Sequence, residues 1–494
     1  MSEIFEQINK LLQNKDFSKA KQLAENIDSE VDKYNILGII FYHENDLDRA
    51  VEMFKKALEI DPVNDDVLFN YSKTLFEKGD FFESWRYLTR IKNKTWEVFD
   101  LLGDTQLKQD NPAMAVHYYK KSYEISNIPE LKKKYNILKR QHFKNKKISI
   151  FYTIDSDDSI LNIGEVLSNI YEIRFVSTND KTQIIKAFEW ADIIWFEGIE
   201  KILVAITNQF PKNDKKIIVR VTSQFKEDFI KMVNWYCVDF VIFTNKVIRD
   251  LFLEKNEELQ SVKCHLIHES IDVTEIEFQV FSNSNSNDIA IITDCPETLI
   301  NIIELSYQLG KISESKIHIK LLQPIDEILN NHVFYKIKKL NLSEKIVFSY
   351  SSKNIYNFIE DKKYIFFYLL KGITKHSILF SLAKGLRTLI SNTHQEAENI
   401  YPKELLFNSI DEAIKLFEKY KHKSNPYRSF IEAKFSLERE IKDIIRVLQE
   451  LEDEITFAWF ILELTKGNSE RVHGNPTKQN RIFYVIKCQK SCYR

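Results

Sequence analysis

Over residues 1–140 the apolar positions recur with a helical period, in pairs of amphipathic stretches separated by short polar turns. In 33–62, KYNILGIIFYHENDLDRAVEMFKKALEIDP, small residues stand at Gly38, Ala50 and Ala57, bulky Phe41 and Phe54 stand between them, and Pro62 closes the segment. The pattern predicts two antiparallel helices in close approach, the second stopped by proline. It recurs: Tyr71-Ser72 follows Leu37-Gly38 after 34 residues, and Leu102-Gly103 after another 31. Ala20, Ala50, Ser84 and Ala115 mark equivalent points on successive second helices. The turns Asn14-Lys15-Asp16-Phe17, Glu44-Asn45-Asp46-Leu47 and Lys78-Gly79-Asp80-Phe81 precede three of them.

At Ile148 the period changes. Short, nearly continuous apolar runs follow at 148–154, 171–176, 192–196, 216–221, 239–244 and 263–268, as parallel strands buried on both faces require. Helical stretches such as 181–190 and 224–236 lie between them. A polar break, FSNSNSN at 281–287, predicts a linker. The alternation restarts at 288–293, 316–322, 345–349, 363–370 and 387–391, and 425–466 returns to helical periodicity. The expected architecture is α + α/β: helical repeats over 1–141, two Rossmann-like α/β domains over 146–281 and 288–421, a helical segment over 425–466, and a tail over 467–494. In that tail, 479–486 is similar to the opening of the first α/β domain, as if a further one began there.

Composition narrows the function. Lys+Arg 70 against Asp+Glu 72 gives a net charge of −2, which argues against a general nucleic-acid binder. The 10 glycines, against an ordinary usage of about 7%, never fall in the G-x-G-x-x-G or G-x-x-x-x-G-K spacing, so a dinucleotide fingerprint and a Walker loop are excluded. Five cysteines and an N-terminus without a leader pattern predict reduced thiols and a cytoplasmic protein. The run 132–147 holds eight Lys or Arg and no acid; it reads as a solvated final helix and linker, or as weak peripheral contact with anionic lipid. His265 and His268, with Cys264 and Glu269 beside them, fall on opposite strand faces and do not suit one metal site.

The 34-residue pattern resembles the tetratricopeptide repeat, with about four units in 1–140. That resemblance implies a protein or peptide on the concave face, or alternatively a spacer or dimerisation module. The α/β part resembles the GT-B fold of bacterial retaining group-1 glycosyltransferases. The resemblance is carried by 192–197 (DIIWFE), 216–223 (KIIVRVTS), 234–243, 266–272 (LIHESID), 377–385 (SILFSLAKG) and 398–413. It implies a nucleotide-diphosphate sugar as donor, retention at the anomeric carbon and no obligatory cofactor or metal.

The donor-site residues depart from that family. Its two acids, which accept hydrogen bonds from sugar and ribose hydroxyls, are replaced by Lys371 and Phe380, nine residues apart. Thr293-Asp294-Cys295-Pro296-Glu297 stands where a Gly-Arg segment is usual. Lys371, His376 and Ser377 are the candidate donor-binding residues, lysine for a phosphate and the other two at a helix start. Glu197 and Arg220 are the candidate catalytic residues, or else a mutual ion pair. Two functions follow: a sugar transferase whose acceptor, protein or glycan, is presented by the repeats, or a catalytically inactive GT-B scaffold acting as a protein-binding subunit.

Overall fold

The computed structural model describes residues 2–153, 159–177, 180–222, 227–256, 259, 262–279, 288–350, 355–368, 375–392, 397–420 and 427–452. The predicted break at 281–287, Lys371 and the tail 467–494 lie outside them. The chain divides into two compact units, 1–442 and 443–494. The second is described over 443–452, which is helical.

The first unit opens with α1 (Ser2–Gln13), α2 (Phe17–Ala24), α3 (Glu30–His43), α4 (Leu47–Ile60), α5 (Asp65–Glu77), α6 (Phe81–Leu88), α7 (Trp96–Lys108), α8 (Pro112–Ser126) and α9 (Pro129–His142). The first eight form four antiparallel pairs. Each pair turns through a residue with positive φ: Lys15 (57°), Asn45 (65°), Gly79 (88°) and Asp110 (59°). The next residue, Asp16, Asp46, Asp80 or Asn111, sends its N–H back five residues, to the carbonyls of Leu11, Phe41, Leu75 and Gln106. This is the Schellman closure, which satisfies carbonyls that a helix end leaves open. Asp16 and Asp46 also cap the following helix through their side chains. The predicted small positions Ala20, Ala50, Ser84 and Ala115 are fully buried. A Cβ on Gly38 would stand 2.6 Å from the Phe54 ring, and one on Gly103 would stand 2.3 Å from the Tyr119 ring, so glycine sets the interhelix spacing in two pairs.

Two parallel sheets follow. The first holds β1 (Lys147–Phe151), β2 (Glu172–Val176), β3 (Ile193–Glu197), β4 (Lys216–Val221), β5 (Phe240–Phe243) and β6 (Lys263–Leu266), in the order β2-β1-β3-β4-β5-β6. Between its strands run α10 (Ser159–Leu167), α11 (Lys181–Trp190), α12 (Lys201–Gln209), α13 (Glu227–Ile230) and α14 (Lys246–Lys255). The second holds β7 (Ile289–Thr293), β8 (Ile317–Leu321), β9 (Ile346–Tyr350), β10 (Tyr364–Phe367), β11 (Arg387–Ser391) and β12 (Leu406–Phe407), in the order β12-β11-β10-β7-β8-β9. Its helices are α15 (Leu299–Ile312), α16 (Glu327–Lys339), α17 (Ile355–Ile359), α18 (Lys375–Lys384) and α19 (Ile410–Tyr420). Eleven of these twelve strands coincide with predicted runs; the two-residue β12 is too short to give a periodic signal. The strand order reverses between β1 and β3 and between β7 and β10, and in such sheets ligands gather beyond the strand ends at those points.

The chain then returns to the junction of all three parts. α20 (Arg428–Lys434) packs on α18, and residues from 437 are helical again. Ser436 bridges Ile271, on the segment leaving β6: the Ile271 N–H donates to Phe435 O, and the Leu437 N–H to Ile271 O. Arg428 is fully buried and donates to five acceptors: the carbonyls of Thr89 in the repeats, Val273 and Ile276 after β6 and Ala383 in α18, and the Glu432 carboxylate. Glu432 in turn receives Arg86 and Arg90 from α6 and the turn after it.

Candidate functional site

A cleft of about 510 Å³ opens where the repeats and the two sheets meet. From the repeats, α8 supplies His117 and Lys121. Just past the end of β1, α10 supplies Ser159, Asn162 and Glu165. The segment past β6 supplies Ser270, Asp272 and Glu275. From the second sheet come Tyr356, which follows β9, and His376 and Phe380, which follow β10. The sheet residues on its walls all lie beyond carboxyl ends of parallel strands, and β1 and β10 both border a switch point.

Its polar groups are unequal. Lys121 pairs with Glu275 at 2.9 Å. Burial weakens the Lys121 charge, but Asp272 and Glu275 outweigh it and hold the ammonium above its ordinary range. Burial raises the Asp272 carboxyl, against hydrogen bonds from the Thr274 hydroxyl and N–H and the attraction of Lys121. His117 is 7% exposed, and among the described residues its ring makes no hydrogen bond. Burial, with Lys121 and Lys120 nearby, lowers its pKa to about 3, so the imidazole is neutral at any physiological pH. His376 Nε2 donates to the Ser270 carbonyl at 3.1 Å. Phe380 stands edge-on to Tyr356, ring centroids 5.0 Å apart.

The two acids expected at the donor loop are thus not replaced in kind on that wall: Phe380 offers the cleft a ring. Ser377 beside His376 is buried, and its carbonyl receives the Ser381 hydroxyl. Lys371 lies outside the described residues.

Glu197 and Arg220 do come together, as a pair rather than on the cleft wall. Their strands β3 and β4 are neighbours in the sheet and the two residues are in register. Arg220 donates to Glu197 at 2.5 Å and to Glu440, in the helix that begins at residue 437, at 2.7 Å; both partners and the guanidinium are buried. Trp195 Nε1 donates to the other Glu197 oxygen at 3.2 Å. Burial pushes the Glu197 carboxyl up to about 7, against Arg220 and Trp195. Burial also opposes the Arg220 charge, but Glu197 and Glu440 more than compensate and raise it. Glu440 then takes the Ser270 N–H at 3.0 Å and hydroxyl at 2.5 Å. A relay of contacts therefore runs Glu197–Arg220–Glu440–Ser270–His376 and ends in the cleft.

Glu438, two residues before Glu440 and on the other face of the same helix, accepts from Trp85 Nε1 at 3.2 Å and from the Tyr118 hydroxyl. Burial, reinforced by Asp272, raises its pKa to about 7. The composition signal missed His117, Lys121, Asp272, Glu438 and Glu440. Only Asp272 lay in a segment already singled out; the others sit in helices whose polar residues look like any solvated face until the packing is known.

A second groove, of about 580 Å³, runs along the repeats and is lined by Asn9, Asn35, Phe69 and Asn70 among others. Asn70 Nδ2 donates to Asn35 Oδ1 at 3.1 Å. His268 Nδ1 donates to the Thr244 carbonyl at 3.1 Å. Among the described residues no three His, Cys, Asp or Glu side chains are grouped to hold a metal ion, and no helix is long and apolar enough to cross a membrane.

The tetratricopeptide repeat family matches residues 34–64. A tetratricopeptide repeat-containing protein of Methanocaldococcus jannaschii is 33% identical over 115 residues, 22% of this chain and 20% of that protein, so the chain spans a fifth of its relative's length. A solved glycosyltransferase of Rickettsia africae is 13% identical, with a TM-score of 0.46, over 63% of this chain and 99% of that one. An O-GlcNAc transferase of Thermobaculum terrenum is 8% identical, with a TM-score of 0.36, over 91% of this chain and 96% of that one. The N-terminal array of this chain is built of tetratricopeptide repeats, with residues 34–64 matching the repeat directly.

Proposed function

We propose that this chain is a sugar transferase, taking a glycosyl group from a nucleotide-diphosphate sugar to a protein or glycan acceptor held by the repeats. The reading rests on one observation: a single cleft is walled by residues beyond the strand ends of both parallel sheets and by a helix of the repeat array. The GT-B resemblance of 146–421 supports it, and the groove along α1, α3 and α5 gives an acceptor peptide a polar track. In this proposal Lys371 meets a donor phosphate, with His376 and Ser377 as its companions in donor binding. Glu197 and Arg220 act as positioning residues, since their contacts reach the cleft only through Glu440 and Ser270.

Calorimetry against a panel of uridine- and guanosine-diphosphate sugars tests it. At least one is expected to bind, and Lys371→Ala is expected to weaken it at least tenfold, the cost of one charge-assisted hydrogen bond. No binding at millimolar concentration would remove the enzymatic reading. A second reading, a catalytically inactive subunit, is favoured by Phe380, which puts an apolar ring where a hydroxyl-binding carboxylate is expected. Phe380→Glu separates the two. It strengthens donor binding if a donor is used and changes nothing if none is.

A further inference from the structure

The cleft holds a neutral imidazole that, among the described residues, stands edge-on to the Tyr118 ring and makes no hydrogen bond. His117 sits on α8 among Ala113, Met114, Ala115, Val116, Tyr118 and Tyr119, all buried. Only 7% of the residue is exposed, and its nitrogens are not among the fully buried polar atoms left without a partner, so the ring's polar edge is turned to the cleft rather than into the core. Its ring lines the cleft. With its pKa lowered to about 3 it carries one N–H donor and one bare nitrogen acceptor, and no charge.

The surrounding charge is the second observation. The lining among the described residues holds three carboxylates, Glu165, Asp272 and Glu275, and one ammonium, Lys121. That ammonium is already paired with Glu275. Glu165 and Asp272 add further acceptor oxygens, Asp272 beyond the Oδ1 that takes the Thr274 hydroxyl and N–H, beside Ser159, Asn162 and a neutral imidazole. Such a wall repels a phosphate and accepts hydrogen bonds from hydroxyls. Tyr356 and Phe380 line the same cleft, an apolar surface for the C–H face of a flat ring.

We infer that this part of the cleft is a subsite for an uncharged, hydroxyl-bearing sugar ring, with His117 of the repeat helix as a direct contact and Glu165 and Asp272 as hydroxyl acceptors. The carboxylates absent from the donor loop are thereby supplied by other elements of the cleft, α10 and the segment after β6. The inference deepens the proposed transfer and rests on it for what the sugar is attached to: the donor, or a glycan acceptor.

The probes are methyl glucoside, methyl galactoside and methyl N-acetylglucosaminide, with glucose 6-phosphate as the charged control, observed by saturation-transfer NMR on the full chain. At least one neutral glycoside should receive saturation from wild type, and the 6-phosphate less. His117→Leu should weaken the binding about tenfold, the loss of one hydrogen bond within the cleft. His117→Gln, which keeps a donor and an acceptor, should restore most of it. Circular dichroism checks that both variants fold; if the Leu variant does not, Asp272→Asn replaces it and should weaken the glycoside several-fold. A nucleotide-sugar that binds by calorimetry is then added. Displacement of the glycoside assigns the subsite to the donor sugar, and simultaneous binding assigns it to the acceptor; both uphold it. Failure of every neutral glycoside at millimolar concentration, tighter binding of the 6-phosphate, or equal binding by the Leu variant overturns it. Glycoside binding without any nucleotide-sugar binding leaves the subsite standing while the transferase reading falls.

Discussion

The repeat array and the junction it abuts are held together by different physics. In the array, closeness comes from absent atoms: Gly38 lets the Phe54 ring in, Gly103 lets in Tyr119, and buried Ala20, Ala50 and Ala115 do the same at neighbouring contacts. These contacts are apolar, repeated and local. At the junction the contacts are buried ions. Arg428 reaches the repeats, the segment after β6 and α18, while Arg220 joins Glu197 to Glu440. Buried charges give little net stability over well-packed apolar groups, but removing one partner is severe because the other is left stranded. The array thus supplies stability by addition, and the junction fixes how the three parts meet.

The sharpest break of that contrast is Glu432→Ala. It strips Arg428, Arg86 and Arg90 of their shared carboxylate. A loss of about 3–5 kcal/mol in chemical denaturation is expected. A loss below about 1 kcal/mol would mean that the node is not what holds the junction.

Next is the acid–base behaviour of Glu438. Its pKa rises from 4.5 to about 7 on folding because it is buried. A carboxyl raised in the folded state contributes stability that is complete below the unfolded pKa and is lost as pH climbs through the folded one. Stability should therefore fall between about pH 4.5 and 7, by up to about 3 kcal/mol from this group. Glu438→Gln keeps an acceptor for Trp85 and Tyr118 and removes the ionisation. It should reduce that slope to the share left by Glu197, whose carboxyl burial also raises to about 7, and raise the melting temperature at pH 7.5. An unchanged slope assigns the titration elsewhere.

Two glycines give a paired comparison. Gly385 has φ +91°, and a Cβ there would meet the Gln279 carbonyl oxygen at 2.8 Å, a backbone atom that cannot step aside. Gly385→Ala should cost about 2–3 kcal/mol. Gly38→Ala meets the Phe54 ring first, a side chain that can tilt, and should cost about 1–2 kcal/mol. The reverse order would show the array to be the less forgiving region.

The smallest expected effect in the array comes from Asn70→Ala. It removes the hydrogen bond to Asn35 in the half-buried groove, for about 0.5–1 kcal/mol of stability. The same change should lower affinity for any peptide bound along that groove, measured by fluorescence anisotropy.

Much of the array was legible because its interactions are short in sequence. A helix pair closes within about 34 residues, so small residues, turn residues and proline recur at a readable period. Lys15, Asn45 and Gly79 stood in recognisable turns, although only backbone geometry shows Asp110 in the same role. The strands were legible because a parallel strand buried on both faces needs a continuous apolar run. The strand order was not, since both orders seen here satisfy the same runs.

The site was half legible. Glu197 and Arg220 stood out as charges at strand ends, and they do face each other, yet Glu440, their third partner, lies 220 residues from Arg220 in a helix that reads as solvated. His376 was expected at the cleft and lines it; Ser377, next to it, points into the protein. His117 gave no signal at all. By itself the sequence determined what repeats locally: helix pairs, their turns, and runs that must be sheltered strands. Only the tertiary structure decided which isolated charges are buried together and which polar side chain is left facing the cleft. Those outcomes depend on long-range packing, and a charge carries no mark along the chain of the partner it will meet.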